Sequence, residues 1–167
     1  MPCNIILPGA NNIKIAADAY FEKVEDISPE YLAAHTIRGI ILDIDNTIVA
    51  DSKTEVSRTV CEWLKNTGLP VCLLSNGKEQ RVKQFADTFK LCYVSKANKP
   101  FKKGYVKAAE LLGIRDLRKL AVIGDQLFSD ILGGNTAGCY TIKVKPVDIS
   151  ADPLSVKIKR WFERFAV

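Results

Sequence analysis

The sequence lacks the residue clusters from which the common structural zinc sites are built. It contains one histidine, His35, and its five cysteines are scattered without a Cys-x-x-Cys pair. Zinc sites need several Cys and His ligands at short, regular spacing. An odd number of scattered cysteines is typical of reduced thiols in a cytosolic protein, so we expect a cytoplasmic location.

The chain also lacks long apolar runs and a strong charge imbalance. No stretch approaches the roughly 18 apolar residues of a membrane span, and we expect no secretory leader, because residues 1–12 have no basic start. A net charge of +5 over 167 residues is too small an excess to indicate nucleic acid as a partner. The composition, 47% hydrophobic and 26% charged, predicts a single soluble domain over residues 1–167.

Short apolar runs alternate with longer amphipathic segments. The runs predict strands at 37–43, 70–75, 91–94, 120–124 and 139–144, and the segments between them predict helices at about 55–66, 78–89, 102–112 and 128–137. The runs are not interrupted by polar residues at every second position, which indicates strands buried on both faces. We therefore expect an α/β fold with a doubly wound, Rossmann-like parallel sheet of about five strands flanked by helices.

Two segments lie outside this alternation. Residues 1–36 form an N-terminal arm, and residues 154–165 predict a C-terminal amphipathic helix with an apolar stripe surrounded by lysines and arginines. One interpretation packs this helix on the sheet. The other rests it on an anionic membrane, which would make the protein peripheral at a membrane surface.

Polar residues follow the predicted strands at the points where the strands end. In doubly wound sheets ligands bind beyond the carboxyl ends of the strands, so we expect these side chains to share one rim. The candidate site residues are Asp43, Asp45, Thr47, Ser75, Asn76, Lys99, Asp125 and Asp130.

Asp43 and Asp45 end the first buried strand with two negative charges. A strand continuing through both residues would direct them to one face, where unpaired carboxylates would force one of them to bind a proton. Mg²⁺ removes this cost because it prefers carboxylate and carbonyl oxygens. Asp125, at the end of another strand, is placed to supply a further oxygen.

Phosphoryl transfer combines such an ion with donors that spread negative charge off the transferred group. The Ser75 hydroxyl, the Asn76 backbone amide and the Lys99 ammonium are candidate donors. One carboxylate can attack phosphorus to give an aspartyl phosphate, and its neighbour can protonate the leaving group and then activate water.

The segments DIDNT, LLSN, KP and VIGDQLFSD resemble, in order, the four motifs of the haloacid dehalogenase superfamily of aspartate-dependent phosphatases. The resemblance spans residues 39 to 130 and implies that Asp43 is the nucleophile. It implies that Asp45 is the general acid/base and gives its backbone carbonyl to the metal. Ser75 and Lys99 then resemble the pair that holds the phosphate.

The same resemblance assigns the remaining acids. Asp125 resembles the metal-binding acid, so the implied Mg²⁺ ligands are Asp43, Asp45 and Asp125. Asp130 resembles a partner that orients the lysine or the metal-bound waters, and Thr47 has a supporting place.

Within that superfamily the sequence is most similar to the capless subclass IIIA, whose characterised members include phosphatidylglycerophosphate phosphatases. This resemblance rests on GDQ, on the following DILGGNTAG and on the arm ADAYFEKVEDISPEYL. About 30 residues separate Asp45 from Ser75, and about 24 separate Ser75 from Lys99, which is too few for a folded cap. An open site suits a phosphate on a protein, a nucleic-acid end or a lipid, unless a partner subunit in an oligomer acts as the lid.

Two other classes of function compete with a Mg²⁺-dependent phosphatase. A receiver-like signalling domain also carries a phosphorylated aspartate, but it needs adjacent acids after the first strand, and here Ile44 separates them. A non-catalytic domain that binds a phosphorylated ligand is the second alternative. Turnover of an aryl phosphate with Mg²⁺ distinguishes an enzyme from both.

Overall fold

Six parallel strands form the central sheet of the computed structural model, which describes residues 14–51 and 53–148. The strands are β1 (Ala19–Phe21), β2 (Gly39–Leu42), β3 (Val71–Leu74), β4 (Cys92–Val94), β5 (Leu120–Gly124) and β6 (Tyr140–Val144). The helices are α1 (Pro29–Ala34), α2 (Arg58–Asn66), α3 (Glu79–Phe89), α4 (Lys102–Leu111) and α5 (Leu132–Ala137). Short 3-10 turns lie at Val24–Asp26 and Leu117–Lys119.

The strand order is β1-β6-β5-β2-β3-β4, which confirms the predicted doubly wound α/β sheet. β2 lies in the middle, and its last residue, Leu42, pairs with Leu73 of β3 and Ile123 of β5. Every residue of β2, β3 and β5 is buried. Because all the strands are parallel, the residues that follow these three strands emerge at the same edge of the sheet.

Two apolar layers cover the sheet, one on each face. Ile40 and Leu42 of β2 lie in one layer with Trp63 and Phe85, whereas Ile41 lies in the other with Tyr105. Successive residues of one strand therefore enter opposite cores, which explains why its sequence is apolar without alternation.

The sixth strand comes from the segment predicted as an arm. β1 pairs in parallel with β6 at the edge of the sheet. Just before β1, the Asp18 carboxylate accepts hydrogen bonds from the Thr141 N–H at 2.8 Å and the Thr141 hydroxyl at 3.1 Å. The Asn135 amide donates to the carbonyls of Lys14 and Ala16 at 2.7 and 3.0 Å. In its described part the arm thus belongs to the sheet, which has one strand more than expected.

The helix predicted at 128–137 has two parts. A single π-helical turn, Leu127–Ile131, precedes α5. Such turns are rare and are found most often at functional sites. Here the turn places Asp130 beneath the end of β5.

The connections after β2 and β3 each carry a single helix, and within the described ranges neither contains an inserted cap. Among those residues, none of the helices is long and apolar enough to cross a membrane. The predicted C-terminal helix at 154–165 lies outside the described residues.

Removal of the Asp18 side chain tests how firmly the arm is attached. We expect Asp18→Ala to lower the free energy of unfolding by about 1–3 kcal/mol, because the buried Thr141 N–H loses its acceptor. Urea unfolding, with its slope compared between variants, measures this change. Asp87→Ala, which removes an exposed ion pair with Lys83, is the control and should change stability little. Equal stability of the two variants would contradict this account of the arm.

Candidate active site

Four of the predicted site residues form a buried cluster at the carboxyl edge of the sheet. The Lys99 ammonium donates to Asp43 Oδ1 at 2.5 Å and to Asp130 Oδ1 at 2.6 Å. Asp43, Asp125 and Asp130 each place a carboxylate oxygen within 4.8 Å of the others. The Lys99, Asp43 and Asp130 side chains are only 5%, 8% and 1% exposed. The structure thus gathers residues that are far apart in sequence around one ammonium.

Asp43 is fixed by the end of β2 and by the turn that follows. Its N–H donates to the Ile123 carbonyl at 3.0 Å, which extends the β2–β5 pairing by one residue. The chain then turns at Asn46, whose φ of 61° lies in the left-handed region. The turn brings Thr47 back over the cluster, where its hydroxyl lies 3.2 Å from Asp43 Oδ2 and 3.5 Å from Asp125 Oδ1. Thr47 therefore bridges two of the acids.

Asp130 lies against the backbone of the segment that carries Asp125. A Cβ at Gly124 would lie 2.4 Å from the Asp130 Cγ, so a side chain at position 124 would displace the carboxylate. The Gln126 N–H donates to Asp130 Oδ2 at 3.1 Å, while Oδ1 accepts from Lys99. Both oxygens of the Asp130 carboxylate therefore accept a hydrogen bond.

Asn76 holds the backbone of Lys99 from the neighbouring loop. Its Oδ1 accepts from the Lys99 N–H at 2.7 Å, and its Nδ2 donates to the Lys99 carbonyl at 3.3 Å. Sequence reasoning proposed only its backbone amide as a phosphate donor and missed this positioning contact. Ser75 is buried at the end of β3, where its Oγ accepts from the Gly77 N–H at 3.0 Å.

Burial and the neighbouring charges shift the pKa values of the charged groups in the cluster. Burial raises the pKa of Asp43 well above its usual range; Lys99 opposes this shift, and Asp130 and Asp125 add to it. Burial alone would lower the pKa of Lys99, but Asp130 and Asp43 raise it above its ordinary value, so Lys99 stays protonated. The three clustered carboxylates, two of which bind the ammonium, offer oxygen donors that suit a hard divalent cation.

Asp45 lies outside this cluster. β2 ends at Leu42, so the strand does not continue through both acids, which was the condition for the expected common direction of Asp43 and Asp45. The Asp45 carboxylate accepts from Arg81 Nη2 at 2.6 Å and from Arg81 Nε at 3.2 Å. Of the three predicted metal ligands, Asp43 and Asp125 place their carboxylates in the cluster. The third carboxylate of the cluster belongs to Asp130.

A groove of about 620 Å³ adjoins the cluster. Thr47, the residue that bridges Asp43 and Asp125, is part of its wall. The turn around Val24, the loop after Thr47, the start of α2 and the residues after β6 supply the other walls. Asp43, Asp125, Asp130 and Lys99 do not line the groove, which therefore meets the cluster through Thr47.

Comparisons with known proteins identify sequences that are similar to this chain. The haloacid dehalogenase-like hydrolase family model matches residues 54–138. The chain is 35% identical over 150 residues to a Bacillus subtilis (strain 168) protein named "Probable phosphatase YqeG", covering 88% of this chain and 86% of that protein.

Two solved structures are also similar to this chain. One is the magnesium-bound HAD-hydrolase YfnB from Bacillus subtilis, with 14% identity and a TM-score of 0.49 over 71% of this chain and 91% of that chain. The other is the cobalt-bound deoxy-D-mannose-octulosonate 8-phosphate phosphatase YrbI from Haemophilus influenzae, with 16% identity and a TM-score of 0.47 over 75% of each chain.

Binding of a cation to the cluster is testable without any substrate. In protein stripped with EDTA, added Mg²⁺ should raise the melting temperature, because only the folded state brings the acids together; at a hundred times the Kd the gain is about 2.7 kcal/mol. Asp125→Asn should reduce the Mg²⁺-induced shift by removing one charge from the cluster. Differential scanning calorimetry measures the shift.

The exposed variant Asp87→Asn is the control for this experiment and should keep the full Mg²⁺-induced shift. A shift of the same size in Asp125→Asn and in the unchanged protein would contradict the site.

Proposed function

Because the chain belongs to the haloacid dehalogenase-like hydrolase family, we propose that it hydrolyses phosphate monoesters by way of a phosphorylated Asp43. The observation that carries this proposal is the position of Lys99, whose ammonium bridges Asp43 and Asp130 beside Asp125. A buried nucleophile, a fixed cation and a carboxylate cluster that suits Mg²⁺ are the parts that phosphoryl transfer requires.

Asp43 is the nucleophile in this proposal. Lys99 binds one of its oxygens and Thr47 the other, which fixes the carboxylate for attack. A bond forms between Asp43 and phosphorus as the bond to the leaving oxygen breaks, and the substrate alcohol departs. Water then attacks phosphorus, which releases inorganic phosphate and restores Asp43.

Lys99 and Ser75 stabilise the negative charge of the transferred group in this scheme. The Lys99 ammonium stays protonated, so it can donate to a phosphoryl oxygen, and the Ser75 hydroxyl is a second donor. Asp130 holds Lys99, and Asn76 holds the Lys99 backbone. Misplacement of either support would move the ammonium away from the phosphate.

Asp43, Asp125 and the backbone carbonyl of Asp45 would hold Mg²⁺, which neutralises charge on the phosphoryl oxygens when it is bound. The carboxylate cluster fits this ion because it concentrates negative charge in a buried volume. Asp45 is the acid that gives its proton to the leaving oxygen, and it later takes a proton from the attacking water.

A lipid-linked phosphate, such as phosphatidylglycerophosphate, is the substrate class that we propose. No cap covers the groove within the described residues, so a phosphate on a large carrier can enter. Phe101 is 64% exposed two residues after Lys99, and exposed Lys102 and Lys103 follow it. An exposed apolar side chain followed by two exposed lysines, close in sequence to Lys99, suits an anionic membrane surface.

Substitution of the two acids after β2 tests the mechanism. Asp43→Asn should abolish turnover of p-nitrophenyl phosphate in Mg²⁺, because an amide cannot act as the nucleophile. Asp45→Asn should lower kcat by about 10²–10⁴-fold. It should also keep the Mg²⁺-induced melting shift, because its backbone carbonyl remains.

Reactions in EDTA are the blank for these rates. Normal turnover by Asp43→Asn would contradict the assigned nucleophile. Normal turnover by Asp45→Asn would contradict the assigned acid.

A substrate panel tests the lipid proposal. Phosphatidylglycerophosphate in anionic vesicles should give a higher kcat/KM than sugar phosphates, nucleotides or phosphopeptides. Combined Lys102→Gln and Lys103→Gln should lower the vesicle rate roughly 30-fold, because each surface lysine contributes about 1 kcal/mol to membrane binding. The same change should affect p-nitrophenyl phosphate turnover far less.

Lys107→Gln with Leu111→Ala is the matched control, since both residues are exposed and lie farther along the same helix. This variant should act on vesicles at the normal rate. A panel in which a soluble phosphate is the best substrate would contradict the lipid class and leave the phosphatase proposal intact.

A further inference from the structure

Arg81 connects Asp45 to the wall of the groove. Its guanidinium donates to Asp45 Oδ1 through Nη2 at 2.6 Å and Nε at 3.2 Å. The same Nη2 donates to the Lys53 carbonyl at 2.7 Å, and Lys53 lines the groove. One guanidinium therefore joins the first turn of α3, the acid after β2 and the groove wall.

The guanidinium is itself held in place. It lies over the Phe85 ring, 5.1 Å from the centroid, one helical turn along α3. The Arg81 and Asp45 side chains are only 24% and 27% exposed, so water screens their attraction less than at an open surface. An arginine that makes planar, charge-assisted hydrogen bonds restricts the orientation of a carboxylate more than a lysine does.

Both bonds from Arg81 end on the same oxygen of Asp45. Arg81 therefore fixes the carboxylate through Oδ1 and makes no bond to Oδ2. The Oδ2 atom is then the oxygen by which Asp45 can pass a proton without releasing Arg81.

We propose that Arg81 is the positioning residue for proton transfer by Asp45. This assignment rests on the proposed function. As the bond between phosphorus and the leaving oxygen breaks, the proton on Asp45 moves to that oxygen; Asp45 regains a proton when water attacks phospho-Asp43. Arg81 holds the carboxylate in the geometry that both transfers require, and its bond to the Lys53 carbonyl sets that geometry relative to the groove.

Leaving-group dependence distinguishes positioning of an acid from other roles. A dinitrophenolate departs from phosphorus without a proton, whereas an alkoxide departs only with one. Loss of a correctly placed acid therefore slows alkyl phosphates strongly and dinitrophenyl phosphate weakly. A residue that serves the fold, or one that binds the phosphate, would affect both classes alike.

The experiment measures kcat and KM for a series running from an alkyl phosphate to 2,4-dinitrophenyl phosphate, and it compares kcat/KM, which reports phosphoryl transfer to Asp43 and excludes the later hydrolysis of phospho-Asp43. Arg81→Gln should lower kcat/KM for the alkyl phosphate by about 10²-fold, the size expected when a catalytic group is misplaced. It should change kcat/KM for 2,4-dinitrophenyl phosphate little. Arg81→Lys should recover part of the loss. Lys83→Gln, an exposed cation on the same helix, is the control.

Two further measurements make the outcome decisive. In an Asp45→Asn background, Arg81→Gln should cause no additional loss, since the group that it positions is already disabled. The melting temperature of each variant, in Mg²⁺, tests whether the fold is intact. Additive losses in the double variant, equal losses of kcat/KM for every leaving group, or a raised KM with unchanged kcat for the alkyl phosphate would each overturn the assignment.

The activity of the unchanged protein tests the proposed function separately from the role of Arg81. If the unchanged protein hydrolyses no member of the series in Mg²⁺, the phosphatase proposal fails, and the role of Arg81 fails with it. If it hydrolyses them all and the Arg81→Gln loss is independent of the leaving group, only the role of Arg81 fails.

Discussion

Burial of three carboxylates in one cluster, two of them bound to the Lys99 ammonium, is the constraint on which the rest of the site depends. Charged groups lose hydration when they are buried, and a carboxylate among other acids tends to bind a proton. The pKa of Asp43 is raised for this reason, although Lys99 lies 2.5 Å away. The neighbouring residues limit the cost by holding each group in one place: Thr47 bridges two acids, Gly124 leaves room for Asp130, and Asn76 holds the Lys99 backbone.

The parallel sheet is what makes such a cluster attainable. β2 and β5 are neighbours, so Asp43 and Asp125 emerge side by side although 82 positions separate them in the sequence. The π-helical turn after β5 then folds Asp130 back under the same edge. The result combines the proposed nucleophile Asp43, the Lys99 ammonium and a set of carboxylate oxygens, while Asp45 and Arg81 form a second, more exposed pair that reaches the groove wall through the Lys53 carbonyl.

Much of this arrangement could be predicted from the sequence, because buried parallel strands have long apolar runs and the residues that follow them must share one edge. The limits of the prediction have physical causes. β1 has only three residues, Ala-Tyr-Phe, at the edge of the sheet, so its apolar run is too short to identify a strand. The pairing of Asp45 with Arg81 joins residues 36 positions apart, and Arg81 lies in a helix whose sequence shows only an amphipathic pattern. The common direction expected of Asp43 and Asp45 assumed a longer strand, whereas the chain turns at Asn46.

The central claim is that Asp43 accepts the phosphoryl group. Rapid acid quenching during turnover of a ³²P-labelled phosphate monoester, followed by peptide mapping, tests it most directly. The account predicts acid-stable label, released by hydroxylamine, on the peptide that contains Asp43, and none in Asp43→Asn. Turnover by the unchanged protein with no label on that peptide at any quench time, or equal labelling of Asp43→Asn, would contradict it.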